Sequence, residues 1–153
     1  MIRVGLLGTG RIGRLHAETI ASHSESSLHA VSDIDSDSAK ELAIQYGVSV
    51  KPADDVISDP NIDAILIATS TDTHSEFIEK ASLSGKAVLC EKPVDLNLNR
   101  AKECLDKVST ANNSIMIGFN RRFDPNFAQL KKSLDNGEIG NRELLTITSF
   151  DPA

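Results

Sequence analysis

Basic clusters, long apolar runs, a cysteine framework and metal-type histidine spacing are all missing from this sequence, and each absence removes a class of function. No stretch gathers Lys and Arg into a stripe and the formal net charge is −6, so a nucleic-acid duplex would meet net repulsion and nucleic acid is not expected as a partner. No apolar run reaches the roughly 20 residues that span a bilayer. The start, Met1-Ile2-Arg3-Val4-Gly5, lacks the basic and apolar regions of a signal peptide. The expectation is a cytoplasmic protein with no membrane partner. The two cysteines, Cys90 and Cys104, are too few for a disulfide framework and read as reduced, buried thiols at a strand end and within a helix. The four histidines are scattered, without ligand spacing to acids or cysteines, so no metal is expected. Repeats and low-complexity segments are absent too. With 40% hydrophobic and 25% charged residues over 153 positions, an ordinary globular core is affordable.

What is present is an alternation of two periodicities. Ile2-Arg3-Val4-Gly5-Leu6-Leu7 is a short apolar run suited to a strand buried on both faces of a parallel sheet. Similar runs at residues 28–32, 64–68, 87–90 and 114–118 give five predicted strands. Between them, Ala39, Leu42, Ala43 and Tyr46 are spaced as one helical stripe, with Ser36 or Asp37 as cap and Gly47 as stop. His74, Phe77, Ile78 and Ala81 repeat the spacing before Gly85, and Leu98, Ala101, Leu105 and Val108 repeat it after Asn97. Strand and helix in turn predict an α/β fold, a doubly wound parallel sheet with helices on both faces. The last part differs. Residues 124–136 read as a helix closed by Gly137, and Leu144-Leu145-Thr146-Ile147-Thr148 reads as the first strand of a second domain whose other strands are absent. The division expected is a Rossmann domain at 1–120, then a connecting helix and first strand at 121–153.

The first predicted strand runs straight into Gly8-Thr9-Gly10-Arg11-Ile12-Gly13, a G-x-G-x-x-G loop that opens a helix. In that context the first glycine allows the tight turn, the second lets backbone approach a pyrophosphate, and the third allows close helix packing. The anion meets the free N–H groups of the helix start. Asp33 follows Gly13 by twenty residues at the end of the second strand, where a carboxylate accepts hydrogen bonds from the adenosine ribose, with Asp35 as the nearest competitor. Ile34-Asp35-Ser36 offers no Arg or Lys to neutralise a 2′-phosphate, so the cofactor expected is NAD rather than NADP.

Three further segments resemble the oxidoreductase family typified by glucose-fructose oxidoreductase and inositol 2-dehydrogenase. Ala68-Thr69-Ser70-Thr71-Asp72-Thr73-His74 is similar to the family segment that passes beside the cofactor after the fourth strand, with Ser70 where the family commonly has proline. His74 also continues the apolar helical stripe, so a packed residue bonded to nearby backbone competes with a contact to the cofactor. Glu91-Lys92-Pro93 resembles the family motif after the fifth strand. The resemblance implies that Lys92 lies near the nicotinamide and the reacting hydroxyl, where a cation orients the alcohol and favours loss of its proton. It also implies an unusual, cis conformation at Lys92-Pro93. Gly118-Phe119-Asn120-Arg121-Arg122-Phe123-Asp124-Pro125-Asn126-Phe127 is similar to the inositol-dehydrogenase branch, which narrows the implied substrate to a polyol. There Arg121 or Arg122 would reach cofactor or substrate, and Phe123 and Phe127 would be core.

Taken together, the expected cofactor contacts are Gly8, Thr9, Gly10, Arg11, Ile12, Gly13, Asp33, Ile34, Ala68, Thr69, Ser70, His74, Glu91, Lys92 and Arg121, with Lys92 also catalytic. In the family an Asp and a His on a C-terminal helix complete a proton relay with the lysine, and these 153 residues contain no Asp-x-x-x-His. The expectation is a cofactor-binding part of a polyol dehydrogenase, inactive alone, self-associating through the C-terminal strand or in a longer form. A stand-alone NAD-sensing module would share the glycine loop and Asp33 but has no need of Lys92.

Overall fold

The computed structural model describes residues 1–141, 143–148 and 150. It comprises two compact units, Met1–Gly118 and a second that begins at Phe119. In the first, strands β1 (Ile2–Leu7), β2 (Ser26–Ser32), β3 (Ser49–Val50), β4 (Ala64–Ile67), β5 (Ala87–Cys90) and β6 (Ile115–Ile117) form one sheet in the order β3-β2-β1-β4-β5-β6. Every neighbouring pair is parallel. The order reverses between β1 and β4, which opens a crevice at the carboxyl ends of the strands. The connecting helices are α1 (Arg11–Ser22), α2 (Ser36–Tyr46), α3 (Ala53–Ser58), α4 (His74–Leu83) and α5 (Leu98–Val108).

The side chains alternate between two cores as the period of two requires. Leu7, Ala30, Ile65, Ile67, Val88 and Cys90 point to the face that also buries Ile78 and Ala81 of α4 and Cys104 and Val108 of α5. Val4, Leu6, Val31 and Leu66 point to the other face, against Ala17 and Ile20 of α1 and Ala39, Leu42 and Ala43 of α2. This is the doubly wound arrangement expected from the alternation. Cys90 and Cys104 are free and buried, and burial, reinforced by the Glu91 carboxylate and Cys104, pushes the Cys90 thiol up to about 12. Among the described residues no helix is long and apolar enough to cross a membrane.

Several expectations are corrected. A sixth strand, β3, and the helix α3 escape the pattern because two and six residues are too short to show a period. The cap of α2 is Asp35, which accepts from the Asp37 and Ser38 N–H groups, in place of Ser36 or Asp37. On α5 the buried residues are Cys104 and Val108, while Leu98 and Leu105 are exposed, because cysteine was left out of the apolar stripe.

The second unit holds a short turn at Asn120–Phe123 and the helix α6 (Pro125–Asp135), capped by Asp124. Phe123 and Phe127, expected in the core, are 64% and 37% exposed. Residues 144–148 form no strand, since a strand exists only as a hydrogen-bonded partner of another.

Candidate functional site

The site is built where β1 ends. Gly8 turns the chain with φ 94°, and a Cβ there would overlap the Ala68 carbonyl. A Cβ at Gly13 would overlap the carbonyl of Gly8, so this glycine lets α1 press against the loop. Gly10 differs from both. Its φ of −67° and ψ of −169° suit any residue, and apart from its chain neighbours no atom of the described residues lies within 4 Å of where its Cβ would stand. Neither strain nor internal packing calls for glycine at this position; an outside group that approaches the backbone does. Gly10 is the N-cap of α1, with no side-chain cap and no acid in the first turn. The N–H groups of Arg11, Ile12 and Gly13 are thus left for an anion. The cradle fits a dinucleotide pyrophosphate.

Asp33, just past β2, is positioned by the same loop. One carboxylate oxygen accepts from the Thr9 N–H at 2.5 Å and the Thr9 hydroxyl at 3.0 Å. The other accepts from the Asp35 N–H at 2.9 Å. Burial works against the charged form, yet the hydrogen bonds from Thr9, Asp35 and Ile34 hold the Asp33 carboxyl below its ordinary value. The carboxylate therefore stays an acceptor, with lone pairs left over for hydroxyl groups. Asp35 caps α2, one of its oxygens accepting from the Asp37 and Ser38 N–H groups. Ile34 is fully exposed beside Asp33, an apolar surface with nothing of the protein over it.

A cleft of about 430 Å³ joins these parts. It is lined by Gly8, Gly10, Asp33 and Ile34 on one side and by Ala68, Thr69 and Ser70, past the end of β4, on the other. Leu7, Ser32, Ala53, Thr73 and Phe77 complete it; Thr73 belongs to the segment singled out after the fourth strand, while Ala53 lies on α3, too short to show a period, and Phe77 has the spacing of a core residue. A second groove, of about 570 Å³, runs along α1 and α2 past Leu15 and Tyr46 and contains no strand-end residue.

Glu91, Lys92 and Pro93 leave the end of β5 at the same edge of the sheet. The Lys92–Pro93 peptide is cis. Lys92 is exposed, and among the described residues its ammonium has no hydrogen-bonded acid. Glu91 is held by His16 of α1, whose Nε2 lies 2.8 Å from its carboxylate. Gly118 packs against that carboxylate. His74 is 1% exposed, and both ring nitrogens face carbonyl oxygens, Nδ1 that of Pro93 at 2.7 Å and Nε2 that of Thr69 at 3.1 Å. It is not among the residues that line the cleft. Arg121 belongs to the second unit, with its guanidinium 5.7 Å above the Phe127 ring. The described residues contain no His, Cys, Asp and Glu group able to hold a metal.

Comparison with known proteins gives this geometry a context. The model of an oxidoreductase family with an NAD-binding Rossmann fold matches residues 2–119. An inositol 2-dehydrogenase of Rhizobium meliloti (strain 1021) is 45% identical over 152 residues, which cover 99% of this chain and 46% of that protein. A myo-inositol 2-dehydrogenase of Thermotoga maritima is 42% identical over 154 residues, again 99% and 46%. The crystal structure of a myo-inositol dehydrogenase from Lactobacillus casei in complex with NAD(H) and myo-inositol superposes with a TM-score of 0.87 at 31% identity, covering 92% of this chain and 43% of that one. The chain thus spans less than half the length of these relatives.

Proposed function

The chain belongs to the oxidoreductase family with an NAD-binding Rossmann fold, and from that premise we propose that it is the cofactor-holding part of an NAD-dependent polyol dehydrogenase whose substrate class is an inositol. The observation that carries the reading is Gly10, a glycine that no strain and no protein contact explains. In this proposal the first-turn N–H groups of α1 hold the pyrophosphate. Asp33 accepts from the adenosine ribose hydroxyls while the exposed Ile34 covers the adenine. Ala68, Thr69 and Ser70 form the opposite wall. Bound NAD supplies the hydride acceptor. Lys92, without an acid of its own, orients the substrate hydroxyl and favours loss of its proton. Relatives of twice the length carry names of inositol dehydrogenases, and this chain lacks the Asp-x-x-x-His that would complete a proton relay; alone, it binds cofactor without turning over substrate.

Calorimetric titration with NAD and NADP tests the reading. NAD is expected to bind at least about tenfold more tightly, a difference of about 1.4 kcal/mol, because Asp33 repels a 2′-phosphate and no nearby cation offsets it. Equal affinity, or none for either dinucleotide, would overturn it. Incubation with NAD and myo-inositol is expected to give no NADH above the blank.

A further inference from the structure

The loop that carries Lys92 is fastened on both sides by residues from helices on opposite faces of the sheet. From α4, the His74 ring bonds the Pro93 carbonyl at 2.7 Å and the next residue, Ser75, donates to Asp95 at 2.7 Å. From α1, His16 holds Glu91 at 2.8 Å, and the other Glu91 oxygen is 3.3 Å from the Lys92 N–H. The second His74 bond ends on Thr69, in the wall of the cleft. That wall is itself a closed turn: the Thr73 hydroxyl donates to the Ser70 carbonyl at 2.8 Å and is 2.7 Å from the Thr69 hydroxyl. Among the described residues no backbone N–H reaches the Thr69 or Pro93 carbonyl, so His74 alone joins the two loops there.

We propose that His74 is a positioning residue, tying the Lys92 loop to the Thr69–Ser70 wall so that the two sides of the reaction site are held in one geometry, with His16 on Glu91 bracing the loop from the other face. The use of that geometry in hydride transfer rests on the dehydrogenase reading above; the fastening itself does not. A carbonyl oxygen only accepts, so each of the two bonds requires a proton on the ring nitrogen that makes it.

The test uses the ligand-free chain, so that its outcome is separate from that of the NAD titration. In H74L, amide hydrogen exchange at Thr73 and Asn97, whose N–H groups donate to the Ser70 carbonyl and to Asp95 within the two loops, is expected to accelerate at least tenfold while β1 and β4 amides keep their rates. H74N, whose side-chain amide replaces the Nδ1 donor, is expected to return those rates to within threefold of the parent. A uniform acceleration over the whole chain, no local change, or failure of H74N to restore the loop would overturn the proposal. The ring nitrogen spectrum of the unmodified chain gives a second reading that survives misfolding of either variant. A proton on each ring nitrogen is expected, and a nitrogen bearing only a lone pair contradicts the bond assigned to it.

Discussion

At the amino-terminal edge of the sheet, Arg3 closes on Asp63 through two side-chain bonds of 2.8 and 3.0 Å. Nearby, Lys51 donates to Asp59 at 2.6 Å, and the Lys86 ammonium donates to the carbonyls of Asp59 and Ile62. At the carboxyl-terminal edge the groups are left open: Lys92 has no acid among the described residues, Asp33 has no cation, and Gly10 faces free space. Charge inside the first edge is satisfied by the chain and serves stability. At the second edge Glu91 is held by His16, while Asp33 is arranged by hydroxyl and backbone bonds and left available together with Lys92, which is what a ligand requires. The two edges should therefore respond to substitution in opposite currencies, folding at one and binding at the other.

The glycine loop is where that division is sharpest, because it lies within the open edge yet contains positions the fold itself needs. G13A should have the largest effect. Its Cβ overlaps the fixed Gly8 carbonyl, which puts it at or above the upper end of the roughly 1–3 kcal/mol that overpacking costs, to be seen as a lower urea midpoint. D33S comes next and should act on binding. Loss of a charged acceptor is worth about 1.5–3 kcal/mol, or roughly 10–100-fold in NAD affinity, and the preference over NADP should narrow. Calorimetry with both dinucleotides checks this.

Smaller effects sharpen the comparison from the other edge. The Lys51 ammonium, followed by the Asn61 N–H, holds the Asp59 carboxyl down to about 2. An aspartate depressed in the folded state stabilises above its unfolded value, near 4, and loses that contribution as pH falls toward about 2. The urea midpoint should therefore drop more steeply between pH 4 and 2 in the parent than in D59N, with NAD affinity at neutral pH unaltered. The smallest effect expected is that of K92A, an exposed side chain without a partner. Stability should stay within about 0.5 kcal/mol, and NAD affinity within a factor of three.

The residues that were legible in the sequence are those whose reasons are local. Gly8, Gly10 and Gly13 sit at fixed offsets after an apolar run, Asp33 follows at the end of the next strand, and Cys90 with Val88 alternates into one core. What was not legible depends on partners far along the chain. Glu91 and His16 are 75 residues apart, and nothing in either neighbourhood announces their bond. Asp35 in place of Ser36 as the α2 cap shifts a boundary by one residue, which only backbone geometry decides. Residues 144–148 carry a strand-like pattern without the neighbours that would make it one. Phe123 and Phe127 are apolar but exposed in the second unit, where local pattern does not reveal what, if anything, covers them.

The central claim, that the open edge holds a dinucleotide through the backbone at Gly10, is tested most directly by calorimetric titration of NAD into G10A beside the parent, with urea melts of both. Among the described residues an added methyl there touches nothing beyond its chain neighbours, so stability should change by less than about 1 kcal/mol, while NAD affinity falls at least tenfold. Undiminished NAD binding by a folded G10A would contradict the account.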